Sequence, residues 1–276
     1  FVGAKGGVGT SALAQAAGQA IANKLNQKVI MLDAGGGWSY LSVAMGTEPV
    51  TTLRAAVRAA RDGDDDGFKR LIHSVTERLA ILNSGGDAML ESNLDAGNLE
   101  YLIDRLAATY PIVVFDMSMA PAAAMRTVAA RANATFVVST PNLPALRAGR
   151  GLMSDIAGLR GGGGEGSRKK ENKQRDDVEL VINMQGANSA FEVPEKDITE
   201  LMGAEIALTM PYMPKAFLAA ESQNALIGNV NAGDQVLDKI LPFLKRHVQI
   251  NERGSGTART GSGSIIDKFV NWIKQG

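Results

Sequence analysis

Residues 5–11 read Lys5-Gly6-Gly7-Val8-Gly9-Thr10-Ser11, between the apolar stretch Phe1-Val2-Gly3 and a helical pattern from Ser11 to Leu25. A strand end, a glycine loop and a helix in that order gather several backbone N–H groups around one point, and the helix dipole adds positive potential there. Such a point binds phosphate. The general phosphate loop, G-x-x-x-x-G-K-[ST], adds a Lys that neutralises the β and γ phosphates and a hydroxyl that coordinates magnesium. Here Ala4 stands at the first Gly and Thr10 at that Lys, while Ser11 keeps the hydroxyl. Against the generic pattern the stretch therefore fails at two positions, and a ligand-free glycine turn is the plain alternative.

Beyond the loop, short apolar runs recur at Val29–Leu32, Leu79–Leu82, Ile112–Phe115, Thr135–Val138 and Leu180–Ile182. They are too uniformly apolar for strands with one wet face. Helical patterns alternate with them: Ser11–Leu25, Thr52–Arg61, Ala96–Tyr110, Pro121–Arg131, Leu143–Leu159 and Asp234–Lys245. Buried strands alternating with helices predict an α/β fold, a mostly parallel sheet with helices on both faces. Ligands of such sheets collect at the carboxyl ends of the strands, so the polar residues closing the runs become candidates.

The chain has 276 residues, 45% of them hydrophobic, enough for one substantial core. Residues 1–250 are expected to form one domain, interrupted at 161–177 (GGGGEGSRKKENKQRDD) by a flexible surface insertion. Residues 251–263 read as a linker and 264–276 as a short amphipathic helix. Because the chain opens in what reads as the end of a strand, residues upstream of Phe1 are expected. Lys plus Arg and Asp plus Glu both number 29, so no global field favours nucleic acid, and the run Arg168-Lys169-Lys170 contains no aromatic residue beside it. Nucleic acid is not an expected partner. There is no Cys, and only His73 and His247 could serve as imidazole ligands, which excludes thiolate and histidine-rich metal sites. The lack of Cys fits a reducing cytoplasm, and with no apolar stretch of roughly 20 residues the chain is expected to be soluble or to touch a membrane only at its surface.

With its Lys at the beginning, the loop matches K-G-G-x-G-x-[ST] and resembles the ParA/MinD family of deviant Walker A ATPases. The resemblance implies a P-loop NTPase fold, ATP and Mg2+ as cofactors, and a homodimer in which Lys5 reaches the partner's phosphates. It implies nucleotide contacts from Lys5, Gly6, Gly7, Val8, Gly9, Thr10 and Ser11. Val29–Asp33 (VIMLD) looks like the strand before the family's first switch, and Tyr110–Asp116 (YPIVVFD) like its Walker B strand. Catalytic roles would then fall to Lys5 and Asp33, and magnesium to Ser11 and Asp116. Val181-Ile182-Asn183 resembles the strand end where an Asn recognises adenine, and Met210–Leu218 (MPYMPKAFL), with Pro211, resembles the loop that closes over the base. Phe136–Leu152 together with PYMPKAF looks most like the TadZ/CpaE branch. That branch implies partners in Flp pilus or secretion assembly and a polar or inner-membrane address.

Two substitutions bear on hydrolysis. Thr10 removes a cation beside the β and γ phosphates, and Gly35 stands where a D-x-D switch has its second Asp, so no side chain is there to orient water. Losing one such group costs roughly a hundredfold in rate, and two losses imply a slow ATPase or a pseudo-ATPase. The competing expectation is an active ParA/MinD-type ATPase for DNA partition or division-site placement.

Several residues have a plainer reading as well. Asp33 and Asp116 could cap the loops after their strands, Asn183 could be a turn residue, and Ser11 an ordinary helix N-cap. In the tail, Ile265, Ile266, Phe269, Val270, Trp272 and Ile273 recur at helical spacing behind a capping-box pattern from Ser264 to Asp267. That face suits a membrane surface, or packing on the domain or on a partner.

Overall fold

The computed structural model describes residues 1–34, 40–47, 53–84, 96–160 and 178–248. Gly35, the 161–177 segment and everything after residue 248 lie outside these, as does Thr52 at the start of one expected helix. The described strands are β1 (Val2–Gly3), β2 (Val29–Asp33), β3 (His73–Ser74), β4 (Leu79–Leu82), β5 (Ile112–Asp116), β6 (Thr135–Ser139), β7 (Val178–Gln185) and β8 (Ile206–Pro211). The helices are α1 (Thr10–Asn23), α2 (Tyr40–Ala44), α3 (Leu53–Asp62), α4 (Asp65–Leu71), α5 (Ala96–Thr109), α6 (Ala122–Arg131), α7 (Leu143–Arg160), α8 (Glu195–Met202), α9 (Pro214–Gln223) and α10 (Gly233–Lys245).

The strands form two ladders, β3-β4-β2-β5 and β1-β6-β7-β8, parallel throughout except for the β3–β4 pair. The backbone of Phe1 joins them. Its nitrogen donates to the Phe115 carbonyl at 2.9 Å and its carbonyl accepts from the Met117 N–H at 3.0 Å, the spacing of a parallel rung. β5 thus lies beside β1, and the expected mostly parallel sheet is present.

Alternation along the strands explains why they read as unbroken apolar runs. Val29 and Met31 of β2 join one buried cluster with Leu79 and Ile81 of β4, while Ile30 and Leu32 join the opposite cluster with Ala80 and Leu82. Both faces are covered, so period-2 alternation puts apolar residues on each. On the first face α1 is almost wholly buried between the sheet and α10, and its run of Ala residues lets backbones come close. On the second lie α3, α5 and α6.

Five of the six predicted helices are placed within two residues at each end, and α3 from its first described residue. Four of the described helices were not foreseen: the five-residue α2, α4, whose N-cap Asp64 accepts from the Gly67 N–H at 2.8 Å, and the short α8 and α9. α9 corrects the reading of Met210–Leu218 as a loop. Met210 and Pro211 finish β8, and Pro214 begins a helix in the first-turn position where its missing N–H costs nothing.

Candidate functional site

The loop from Ala4 to Gly9 turns between β1 and α1 at the carboxyl end of the sheet. Gly7 and Gly9 take left-handed backbone angles, φ 80° and 83°, and α1 starts with Gly9 as its N-cap. Thr10 is the first helical residue and is buried, with its Oγ1 packed against Gly3. Ser11 is therefore not the N-cap, and no side chain caps α1. Its hydroxyl instead meets the hydroxyl of Ser118 at 2.9 Å.

β2 and β5 are in register so that Asp33 and Asp116 are direct neighbours, both fully buried at the carboxyl end of the sheet. Asp116 does two things. Its Oδ1 accepts the Ser118 N–H at 3.0 Å, which is the loop-capping role weighed from sequence. Its Oδ2 is buried and takes no hydrogen bond among the described residues. A buried carboxylate oxygen without a donor is costly, and a bound cation is one way to satisfy it.

Asn183 lies inside β7 rather than at its end, since the strand continues to Gln185. The pairing with β8 loses register between Ile182 and Gln185, and Met184 takes a left-handed φ of 58°, uncommon for a residue with a side chain. At this irregularity Asn183 Nδ2 donates to the Val8 carbonyl at 2.8 Å, holding the glycine loop from the β7 side. It comes so close to Gly9 that a Cβ there would lie 2.3 Å from Nδ2. Asn183 is thus a loop-holding residue in this geometry, and the simple turn reading fails.

These elements enclose a cleft of about 480 Å³. Lys5 to Ala12 form one wall with Ser118, Met119 and Asn183, and Met184, Pro211, Tyr212, Met213, Phe217 and Leu218 form the other. One wall offers backbone amides and hydroxyls, and the other is mainly apolar and suits a flat ring. Lys5 is exposed, its Nζ donating to the Gly6 carbonyl at 3.2 Å, and it is the single basic residue among the described residues lining the cleft. Of the candidates, Asp33 is buried beneath the site and does not line the cleft, whereas Lys5 to Ser11, Asn183 and Pro211 all do. Asp116 reaches it through Ser118. Sequence reasoning missed Ser118, which is too short and too common a residue to stand out, and Met184, which joins the apolar wall from a strand distant in the chain from the Met210–Leu218 segment that was expected to close over a base. Among the described residues no group of three or more His, Cys, Asp and Glu is placed to hold a metal by protein ligands alone, and no helix is long and apolar enough to cross a membrane.

Comparisons with known proteins agree on the architecture. A ParA family ATPase from Chlorobium tepidum TLS superimposes with a TM-score of 0.70 at 18% identity, covering 88% of this chain and 96% of that one. The septum site-determining protein MinD from Pyrococcus horikoshii OT3, complexed with Mg-ADP, gives 0.69 at 17% identity over 91% and 98%. A single-residue variant of Cyanothece McdA in its ATP complex gives 0.64 at 14% identity over 94% and 97%. No family model matches the chain, and no curated protein matches it by sequence. At these identities the shared property is the fold, an α/β P-loop ATPase fold.

Proposed function

We propose that this chain binds ATP with magnesium in the cleft and uses the bound nucleotide to form a homodimer that positions or scaffolds other proteins, with slow hydrolysis or none. The residues present fit the ligand. Left-handed Gly7 and Gly9 turn the loop, a Cβ added at Gly6 or Gly7 would meet nothing within 4 Å, and the N-terminus of α1 follows directly. Amides of the loop through Ser11 would hold the phosphates, and Ser11 with Asp116 would hold magnesium, whose chemistry there is to neutralise charge between β and γ oxygens. The apolar wall from Met184 to Leu218 would take the base. Solved neighbours described as a Mg-ADP complex and an ATP complex support this reading.

The observation that carries the weak-hydrolysis part is Thr10. A buried neutral hydroxyl occupies the place of the loop's second Lys, leaving Lys5 as the cation on the cleft wall. Backbone amides bind charge without that Lys, whereas transition-state charge loses a preorganised partner. Lys5, exposed at the rim, would serve the partner subunit's phosphates in the dimer. The finer assignment, a scaffold for Flp pilus or secretion assembly at a cell pole or inner membrane, rests on the sequence likeness of Phe136–Leu152 and PYMPKAF to the TadZ/CpaE branch.

The test combines calorimetry with Mg·ATP, the mass in solution with and without nucleotide, and steady-state turnover. Binding, a nucleotide-dependent dimer abolished by Lys5→Ala, and negligible turnover are expected. A dimer indifferent to nucleotide and to Lys5 removes the switch. Turnover at a rate ordinary for partition ATPases, rising with DNA or lipid, would instead establish the active ParA/MinD-type alternative.

A further inference from the structure

We infer that Ser118 is a positioning residue for the divalent cation, acting through the hydroxyl of Ser11; this deepens, and rests on, the nucleotide reading above. Ser118 follows β5 by two residues, and its N–H completes the turn by donating to Asp116 Oδ1 at 3.0 Å. That turn needs only the backbone of Ser118. Its hydroxyl nevertheless crosses to α1 and meets Ser11 Oγ at 2.9 Å, linking residues 107 apart in sequence, on the cleft wall.

The chemistry of a hydroxyl ligand gives this contact its purpose. Ser11 Oγ can offer a cation its lone pairs only if its proton points elsewhere, and a cation drawing on those lone pairs makes the O–H a stronger donor. At 2.9 Å either hydroxyl can donate; with a cation on Ser11 the donor would be Ser11, and Ser118 Oγ would accept that proton in a hydrogen bond, with no transfer, holding the Ser11 lone pairs toward the cleft. The same residue anchors one oxygen of Asp116 through its N–H and leaves Oδ2, buried without a donor among the described residues, to face the cation's charge. One residue thereby orients both candidate oxygen ligands. Ser118 does not replace either of them.

The test is the affinity for ATP by calorimetry, with magnesium in excess and again with EDTA, for wild type, Ser118→Ala and Ser118→Thr. Loss of such an orienting partner weakens metal-dependent binding by about 10- to 100-fold. Ser118→Ala is expected to lose that much of the affinity gained from magnesium while matching wild type in EDTA, and Ser118→Thr, which keeps the hydroxyl, to recover it. A full magnesium gain in Ser118→Ala overturns the inference, as does equal weakening with and without magnesium, which would indicate a merely structural role. Absence of ATP binding in wild type overturns the nucleotide reading itself, and the inference with it.

Discussion

Replacing Gly9 by Ala tests whether the loop, its left-handed turn and Asn183 are built as one unit. Gly9 sits at φ 83° and ψ 28°, where an L side chain costs about 1–2 kcal/mol. An added Cβ would also stand 2.3 Å from Asn183 Nδ2 and 3.2 Å from Met184 Cε. Asn183 must retreat and give up its 2.8 Å bond to the Val8 carbonyl, worth about 1 kcal/mol net and more if the carbonyl stays buried and unpaired. The sum is about 2–4 kcal/mol, a sizeable share of the roughly 5–15 kcal/mol stability usual for folded proteins. Gly7→Ala is the control: its φ of 80° carries the same backbone cost, but its Cβ would meet nothing within 4 Å. Urea unfolding should show Gly9→Ala destabilised by about 1–2 kcal/mol beyond Gly7→Ala, the share assigned to the lost Asn183 bond. In an Asn183→Ala background that excess should disappear, a non-additivity read by the double-mutant cycle. Equal losses for the two glycines, or strict additivity of Gly9→Ala with Asn183→Ala, would refute the close-approach argument.

Asp116→Asn should leave the nucleotide-free protein at least as stable as wild type, because it removes one of two adjacent buried carboxylates, yet lower magnesium-dependent ATP affinity by at least about tenfold; thermal unfolding with and without Mg·ATP reads both. Thr10→Lys should raise ATP turnover by up to about a hundredfold, measured as phosphate release, and unchanged turnover with binding retained would show that the missing cation is not limiting. Lys24 Nζ lies 3.0 Å from Asp234 and 3.1 Å from Asp238 of α10, and these hydrogen bonds hold its pKa above the ordinary lysine value. A raised folded-state pKa adds stability that is fully present below the unfolded value and is lost as pH rises through the folded one. Lys24→Met should therefore unfold at lower denaturant concentration at neutral pH, with the difference from wild type shrinking in high salt and disappearing at strongly alkaline pH.

Local order along the chain was enough to determine the glycine loop, five core strands, six helices and the α/β class. Each rests on patterns a few residues long: β-branched apolar runs buried on both faces, helical spacing, and glycines where the backbone must turn left-handed. Asp116 was legible because it closes such a run on the ligand side of a parallel sheet. α2, α4 and α8 were not, because at 5, 7 and 8 residues they carry little periodic signal, and α9 was not because its first turns fall in Met210–Leu218, the stretch taken for a loop. Asn183 was read as ending a strand because sequence does not show a bulge, and the irregular register with β8 lets the strand continue past it. Only tertiary structure brought Ser118 to Ser11, set Asp33 beside Asp116, and assembled the apolar wall from β7, β8 and α9. Those contacts span dozens to more than a hundred residues, and their pairing is decided by strand order and register, which nearest-neighbour chemistry does not encode.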